Sequence, residues 1–111
     1  MRVISINLNG IRSAAKKGIG EWLRQMRPDV ICAQEVRARE CDIPPLMREI
    51  AGLRGFFSLA QKPGYAGTSL HCRRRPLQVC QSFGHPVIDD EGRYVCAEFQ
   101  NCRIVSFYMP S

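Results

Sequence analysis

Two short apolar runs separated by a segment of helical periodicity constrain the fold of this chain more than any other feature. Residues 2–8 are mostly β-branched or apolar, which favours a strand, and residues 30–33 form a wholly apolar run typical of an interior strand. Between them, apolar residues recur at intervals of three and four until Pro28, which predicts one helix. The expected core stripe of that helix comprises Ile19, Trp22, Leu23 and Met26. The sequence therefore predicts a β-α-β unit with two neighbouring parallel strands.

A polar side chain stands at the end of each run. Asn7 ends the first run, and Glu35 follows the second. Because the carboxyl ends of neighbouring parallel strands meet at one edge of a sheet, we expect these side chains to lie close together. Amide and carboxylate oxygens are suitable ligands for a hard cation such as Mg²⁺. Taken singly, Asn7 is more typical of a turn and Glu35 of a solvated strand end, but their pairing favours a site.

Beyond this unit, the sequence predicts a second helix and then mostly antiparallel strands. Asp42 is expected to cap a short helix that ends at Gly52. The remaining strands are predicted at 56–60, 68–72, 77–83, 93–99 and 102–108, with a loop at 62–67 and a hairpin turn at Gln100-Asn101. The predicted fold class is α/β, with β-α-β-α followed by antiparallel strands. We expect one sheet with helices on one face and an uncovered apolar second face that promotes association.

Charge and cysteine usage narrow the choice of partners and compartment. The net charge is +6, and thirteen of the sixteen basic residues are Arg, which suits a polyanionic partner or simply a solvated basic surface. Charge alone leaves both open. The six cysteines include no C-x₂-C pair, which disfavours a zinc ribbon. The chain shows no signal peptide or membrane-length apolar run, so we expect a cytoplasmic protein in a reducing compartment, with no membrane partner.

Several segments, in order, carry a resemblance to a known family. They are Asn7–Ala14, Trp22-Leu23, Pro28–Glu35, Gly64–Gly67, Glu91–Arg93 and Tyr108–Ser111. In this order and spacing, the chain resembles the N-terminal part of the exodeoxyribonuclease III and AP endonuclease family, within the endonuclease/exonuclease/phosphatase superfamily. The resemblance implies a four-layer α/β sandwich with two packed sheets, of which residues 1–111 cover the first part.

The resemblance also implies roles for individual side chains. Glu35 matches a direct Mg²⁺ ligand, with Mn²⁺ as a possible alternative ion. Asn7 matches an amide that helps to bind the metal and to position the reacting phosphate. Tyr108 matches a catalytic tyrosine whose hydroxyl contacts that phosphate, although a tyrosine here is also typical of hairpin packing. The residues expected to face DNA are Asn9, Gly10, Arg12, Tyr65 and Gly67.

Two motifs of the family have no counterpart in these 111 residues: an Asp-x-Asn motif that supplies the general acid, and a terminal Asp-His pair that prepares the attacking water. We therefore expect the chain alone to be inactive. The leading hypothesis is an Mg²⁺-dependent DNA-repair nuclease that cuts abasic duplex DNA and trims 3′ ends. Two alternatives stay open. One is a non-catalytic fragment that binds nucleic acid weakly through charge, and the other is a phosphoesterase of the same superfamily with another substrate.

Other conspicuous residues receive structural interpretations. Arg73–Arg75 are expected at a solvated hairpin tip. Asp89–Glu91 are expected in a surface turn rather than at a second metal site. His71 and His85 are too isolated in the sequence to suggest a catalytic role.

Overall fold

A computed structural model describes residues 1–109, which form a mixed α/β structure with two sheets. The strands are β1 Val3–Asn7, β2 Val30–Gln34, β3 Glu49–Ile50, β4 Leu53–Ser58, β5 Thr68–Cys72, β6 Gln78–Cys80, β7 Tyr94–Glu98 and β8 Arg103–Phe107. The helices are α1 Ile11–Lys16, α2 Ile19–Gln25, α3 Pro45–Arg48 and α4 Pro86–Asp90, with a 3₁₀ turn at Glu40–Asp42. Pro110 and Ser111, which end the last predicted motif, lie outside the described residues.

The first sheet contains the predicted β-α-β unit. Its strand order is β1-β2-β5-β4-β3. Strand β1 is parallel to β2 with Asn7 opposite Gln34, which confirms the predicted pairing, and the other pairs are antiparallel. The connecting segment forms two helices rather than one. Gly18, between α1 and α2, has a φ of +80°, a left-handed conformation that glycine adopts without strain and that ends a helix.

The predicted core stripe of the helical segment is only partly right. Leu23 is fully buried against the first sheet, and Ile19 packs at the border of the same core. Trp22 and Met26 are 50% and 39% exposed. Helix α2 has seven residues, about two turns, and ends at Gln25, so Met26 lies beyond it and the apolar stripe is shorter than that of the single longer helix expected from the sequence.

The prediction of a single sheet with an open apolar face is wrong. Strands β6, β7 and β8 form a second sheet in that order. The exposed residues Arg73–Arg75 lie in the connection from β5, in the first sheet, to β6, in the second sheet. They therefore do not form a hairpin tip. The residues packed between the two sheets are Val30, Cys32, Leu70, Cys72, Val95 and Ala97. The exposed apolar side chains lie elsewhere, among them Phe83 and Val105.

Two local predictions also differ from the structure, while a third is confirmed. Asp42 lies in the 3₁₀ turn, and α3 begins at Pro45, since proline suits the first position of a helix. Asp89 lies in α4, where its carboxylate accepts the backbone N–H groups of Phe83 and Gly84. The predicted hairpin is present as β7 and β8. No helix within residues 1–109 has the length and apolar character needed to cross a bilayer.

Candidate active site

The segments that follow β1 and β2 run side by side beyond the ends of those strands. The backbone N–H of Leu8 donates to the carbonyl of Gln34 at 2.9 Å. Gly10 and Ile11 donate in the same way to Glu35 and Val36, each at 2.8 Å. These bonds extend the pairing of the strands into the loops, so that the segment around Asn7 and the segment around Glu35 share one end of the first sheet.

The Glu35 carboxylate is the centre of this end of the sheet. The Asn7 Nδ2 group and the Tyr108 hydroxyl, the latter at 3.4 Å, both donate to its Oε2 atom. The Arg37 guanidinium pairs with its Oε1 atom. The pKa of Glu35 lies below its ordinary value, chiefly because Asn7 donates to the carboxylate, with Arg37 and Tyr108 adding to the effect. Glu35 is therefore an anion at neutral pH, and the predicted proximity of Asn7 and Glu35 is confirmed.

The two ends of the Asn7 amide have different partners. Its Nδ2 group binds Glu35, while its Oδ1 atom accepts the backbone N–H of Asn9 at 2.9 Å. In this arrangement the amide fixes the direction of the carboxylate and closes the turn after β1. The carboxylate oxygens of Glu35 are stronger ligands for a cation than the Oδ1 atom of Asn7, which already accepts a hydrogen bond.

The backbone around the site adopts a conformation that is costly for side chains other than glycine. Glu35 has a φ of +53° and Arg37 a φ of +50°, each costing about 1–2 kcal/mol. Two hydrogen bonds stabilise this path, from Val36 N to the Gly67 carbonyl at 3.0 Å and from Arg37 N to the Ala66 carbonyl at 2.8 Å. Strained residues persist only where the surrounding structure holds them in place, and they cluster at functional sites.

Tyr108, which follows β8, is held by a buried arginine that the sequence analysis did not single out. Arg93 is only 4% exposed, and its guanidinium lies 5.3 Å from the Tyr108 ring centre and 5.7 Å from that of Tyr65. It pairs with Glu91 at 2.6 Å and donates to the Tyr65 hydroxyl at 3.0 Å. Arg93 thus connects the 62–67 loop with Tyr108. The sequence signal was the Glu91–Arg93 segment, which was noted in the resemblance without a role.

The residues predicted to face DNA divide into two groups. Arg12 and Gly10 line a cavity of about 480 Å³ together with Lys16 and Arg37, and Asn9 lies exposed beside Gly10. Tyr65 is 41% exposed on the 62–67 loop.

Gly67 on the same loop is buried, and a Cβ atom there would lie 3.1 Å from the Val36 Cβ atom. The close approach of these two segments of the chain accounts for a glycine at position 67. Its predicted contact with DNA stays a prediction.

The donor set fits a magnesium ion better than a tightly caged metal. Within residues 1–109, no three His, Cys, Asp or Glu side chains are grouped so that they could hold a metal together. Glu35 supplies one carboxylate. Mg²⁺ is commonly held by one or two carboxylates, with water and substrate phosphate oxygens completing its coordination.

Comparison with known proteins identifies the family. The profile of the Endonuclease/Exonuclease/phosphatase family matches residues 4–109. The chain is 32% identical to the DNA repair nuclease APEX1 of Danio rerio, over its whole length and 36% of that protein. It is also 32% identical to an exodeoxyribonuclease of Bacillus subtilis (strain 168), again over its whole length and 43% of that protein. The chain therefore spans about two fifths of the length of these relatives.

Solved structures show the same fold. An AP endonuclease from Archaeoglobus fulgidus superposes with a TM-score of 0.80 at 25% identity, over 99% of this chain and 42% of that one. The catalytic domain of Xenopus laevis APE2 gives a TM-score of 0.77 at 23% identity, over 100% and 46% of the two chains, which is a likeness of fold alone.

Proposed function

The chain belongs to the Endonuclease/Exonuclease/phosphatase family, and we propose that it forms the first part of a metal-dependent phosphodiester hydrolase acting on DNA. The observation that carries the proposal is the ionised Glu35 carboxylate, which Asn7 and Tyr108 hold at the end of two parallel strands. The names of the relatives, a DNA repair nuclease and an AP endonuclease, support abasic duplex DNA as the substrate.

Each side chain has a distinct part in this proposal. Glu35 would hold Mg²⁺, with Mn²⁺ as an alternative, and Asn7 keeps its carboxylate in a fixed direction. The Tyr108 hydroxyl, already beside the carboxylate, would orient a phosphate oxygen. When bound, the ion supplies positive charge that stabilises the charge developing on the phosphate during attack by water. The Asp-x-Asn and Asp-His motifs of the family, which this chain lacks, would supply the general acid and the group that prepares the water.

The basic cavity beside Glu35 supports a DNA partner. Arg12, Lys16 and Arg37 line it together with the Gly10 and Gly64 backbone. Arginine and lysine at this density favour contact with backbone phosphates, which give affinity without reading sequence. Asn9 and Gly10, which border this cavity, and Tyr65 and Gly67 on the 62–67 loop would contact the same duplex.

Binding of a fluorescent abasic duplex to the 111-residue chain tests the metal assignment. We expect Mg²⁺ to strengthen binding to the wild-type chain, measured by fluorescence anisotropy. Glu35→Gln should remove this Mg²⁺ response. It should leave the binding that comes from contacts between basic side chains and backbone phosphates, which depends on salt concentration. The matched control is Glu21→Gln, which removes another carboxylate that pairs with an arginine but lies on α2 and is well exposed. An unchanged Mg²⁺ response in Glu35→Gln would refute the role of Glu35.

A cleavage assay tests how far the chain is self-sufficient. We expect no nicking of abasic duplex above background by residues 1–111 with Mg²⁺, because the two later motifs are missing from this sequence. In a longer form that carries those motifs, Glu35→Ala should remove most of the cleavage. Robust nicking by a pure preparation of the 111-residue chain that EDTA abolishes would contradict the first expectation.

A further inference from the structure

Arg37 is the one neighbour of Glu35 described above that brings a positive charge to the carboxylate. Its guanidinium pairs with the Oε1 atom, whereas Asn7 and Tyr108 both donate to Oε2. The Arg37 side chain is 47% exposed, whereas the Glu35 side chain is only 14% exposed. Both residues of the pair have a left-handed backbone, with φ values of +53° at Glu35 and +50° at Arg37.

Resting on the metal role proposed for Glu35, we propose that Arg37 occupies the metal position on the Glu35 carboxylate and leaves it when a divalent cation binds. A guanidinium and a cation compete for the same oxygen lone pairs, and their like charges repel at contact distance. Oε1 is the oxygen at which the exchange takes place, because Asn7 donates to Oε2 and keeps the direction of the carboxylate unchanged. Arg37 therefore lowers the affinity of the empty site for cations.

The displaced guanidinium has a place to go. Arg37 already lines the basic cavity of about 480 Å³ with Gly10, Arg12, Ser13, Lys16 and Gly64, and none of these residues is acidic. Once released from Glu35, the Arg37 fork is available to a phosphodiester, whose oxygens match its geometry. Cation and duplex then favour each other, since each ligand binds better when Arg37 has left Glu35.

Titration with Mn²⁺, followed by the electron paramagnetic resonance of the free ion, tests the exchange without any need for activity. Arg37→Gln should bind Mn²⁺ about two- to fivefold more tightly than wild type, the range that a partly exposed ion pair to a carboxylate contributes. Arg37→Lys keeps the charge but not the fork, and should lie between the two. The control Arg24→Gln removes the same charge from another Glu-paired arginine, on α2, and should leave the affinity unchanged.

A Glu35→Gln variant separates failure of this inference from failure of the proposed function. If Glu35→Gln binds Mn²⁺ as well as wild type, the metal assignment itself is wrong. If Glu35→Gln weakens binding but Arg37→Gln binds no tighter than Arg24→Gln, the inference about Arg37 alone is overturned. Weaker Mn²⁺ binding by Arg37→Gln would also overturn it, because a residue that only supports the site lowers affinity when removed.

A second measurement tests the transfer of Arg37 to the duplex. With saturating abasic duplex, the Mn²⁺ affinity of the wild-type chain should rise about fivefold, a typical coupling between two sites. The rise should be smaller in Arg37→Gln, in which no guanidinium is exchanged. An equal rise in both proteins would show that the coupling does not pass through Arg37.

Discussion

Replacing Gly92 with alanine should destabilise the fold far more than the same replacement at Gly64. Both glycines have positive φ, +63° and +70°, so each replacement costs roughly 1–2 kcal/mol in backbone strain. At Gly64 a new Cβ atom meets nothing within 4 Å. At Gly92 it would lie 2.5 Å from the Ser58 carbonyl oxygen and 2.6 Å from the Leu59 carbonyl carbon.

The contacts at Gly92 decide the magnitude. They are with backbone atoms at the end of β4 and directly after it, which have no rotamer by which to move away. Forcing extra atoms into such a position costs about 1–3 kcal/mol more, so that Gly92→Ala should lose roughly 2–5 kcal/mol in all. The Gly92 carbonyl also accepts the Thr68 hydroxyl at 2.8 Å, and its neighbours Glu91 and Arg93 hold Tyr65 and Tyr108.

Urea unfolding followed by far-ultraviolet circular dichroism measures this difference. We expect the midpoint of Gly92→Ala to fall well below that of Gly64→Ala, which carries the strain without the close contacts. A Gly92→Ala variant with no folded baseline, beside a folded Gly64→Ala, would also agree with the reasoning. Equal midpoints for the two variants would refute it, because the close approach at Gly92 would then have no energetic consequence.

Three further predictions follow from burial and charge. Leu23→Ala should cost about 2–5 kcal/mol in urea unfolding, while Trp22→Ala next to it should cost far less, since Leu23 is fully buried and Trp22 is half exposed; similar losses would contradict the core described here. Burial lowers the pKa of His71 to about 4, so its contribution to stability is complete above an unfolded pKa of about 6.5 and is lost as the pH falls from there toward about 4. His71→Gln should remove this loss between about pH 6.5 and 4 and His85→Gln should keep it, and an unchanged profile in His71→Gln would exclude this origin. Finally, duplex affinity should fall steeply between about 50 and 200 mM KCl as counterion release weakens, and affinity independent of salt would contradict contacts with phosphate.

The β-α-β unit and the proximity of Asn7 and Glu35 follow from sequence alone. Strand and helix periodicities are local properties, and parallel neighbours joined by helices bring their carboxyl ends together. Periodicity shows which residues of a strand are apolar, but not which sheet the strand joins. For this reason the assignment of β6, β7 and β8 to a separate sheet did not follow from sequence.

The sequence alone determined three properties of this protein: the residues that could bind a cation, the excess of basic side chains, and the succession of strands along the chain. These depend on residue type and on neighbours a few positions away. Tertiary structure decided how those residues meet. Tyr108 reaches Glu35 across 73 positions of sequence, and Arg93 packs between two tyrosines from separate segments. Arg37 meets Glu35 in a stretch of left-handed backbone that neither residue type prefers, and hydrogen bonds from Val36 N and Arg37 N to the carbonyls of Gly67 and Ala66 hold this stretch in place. Contacts of this kind arise from packing between distant segments.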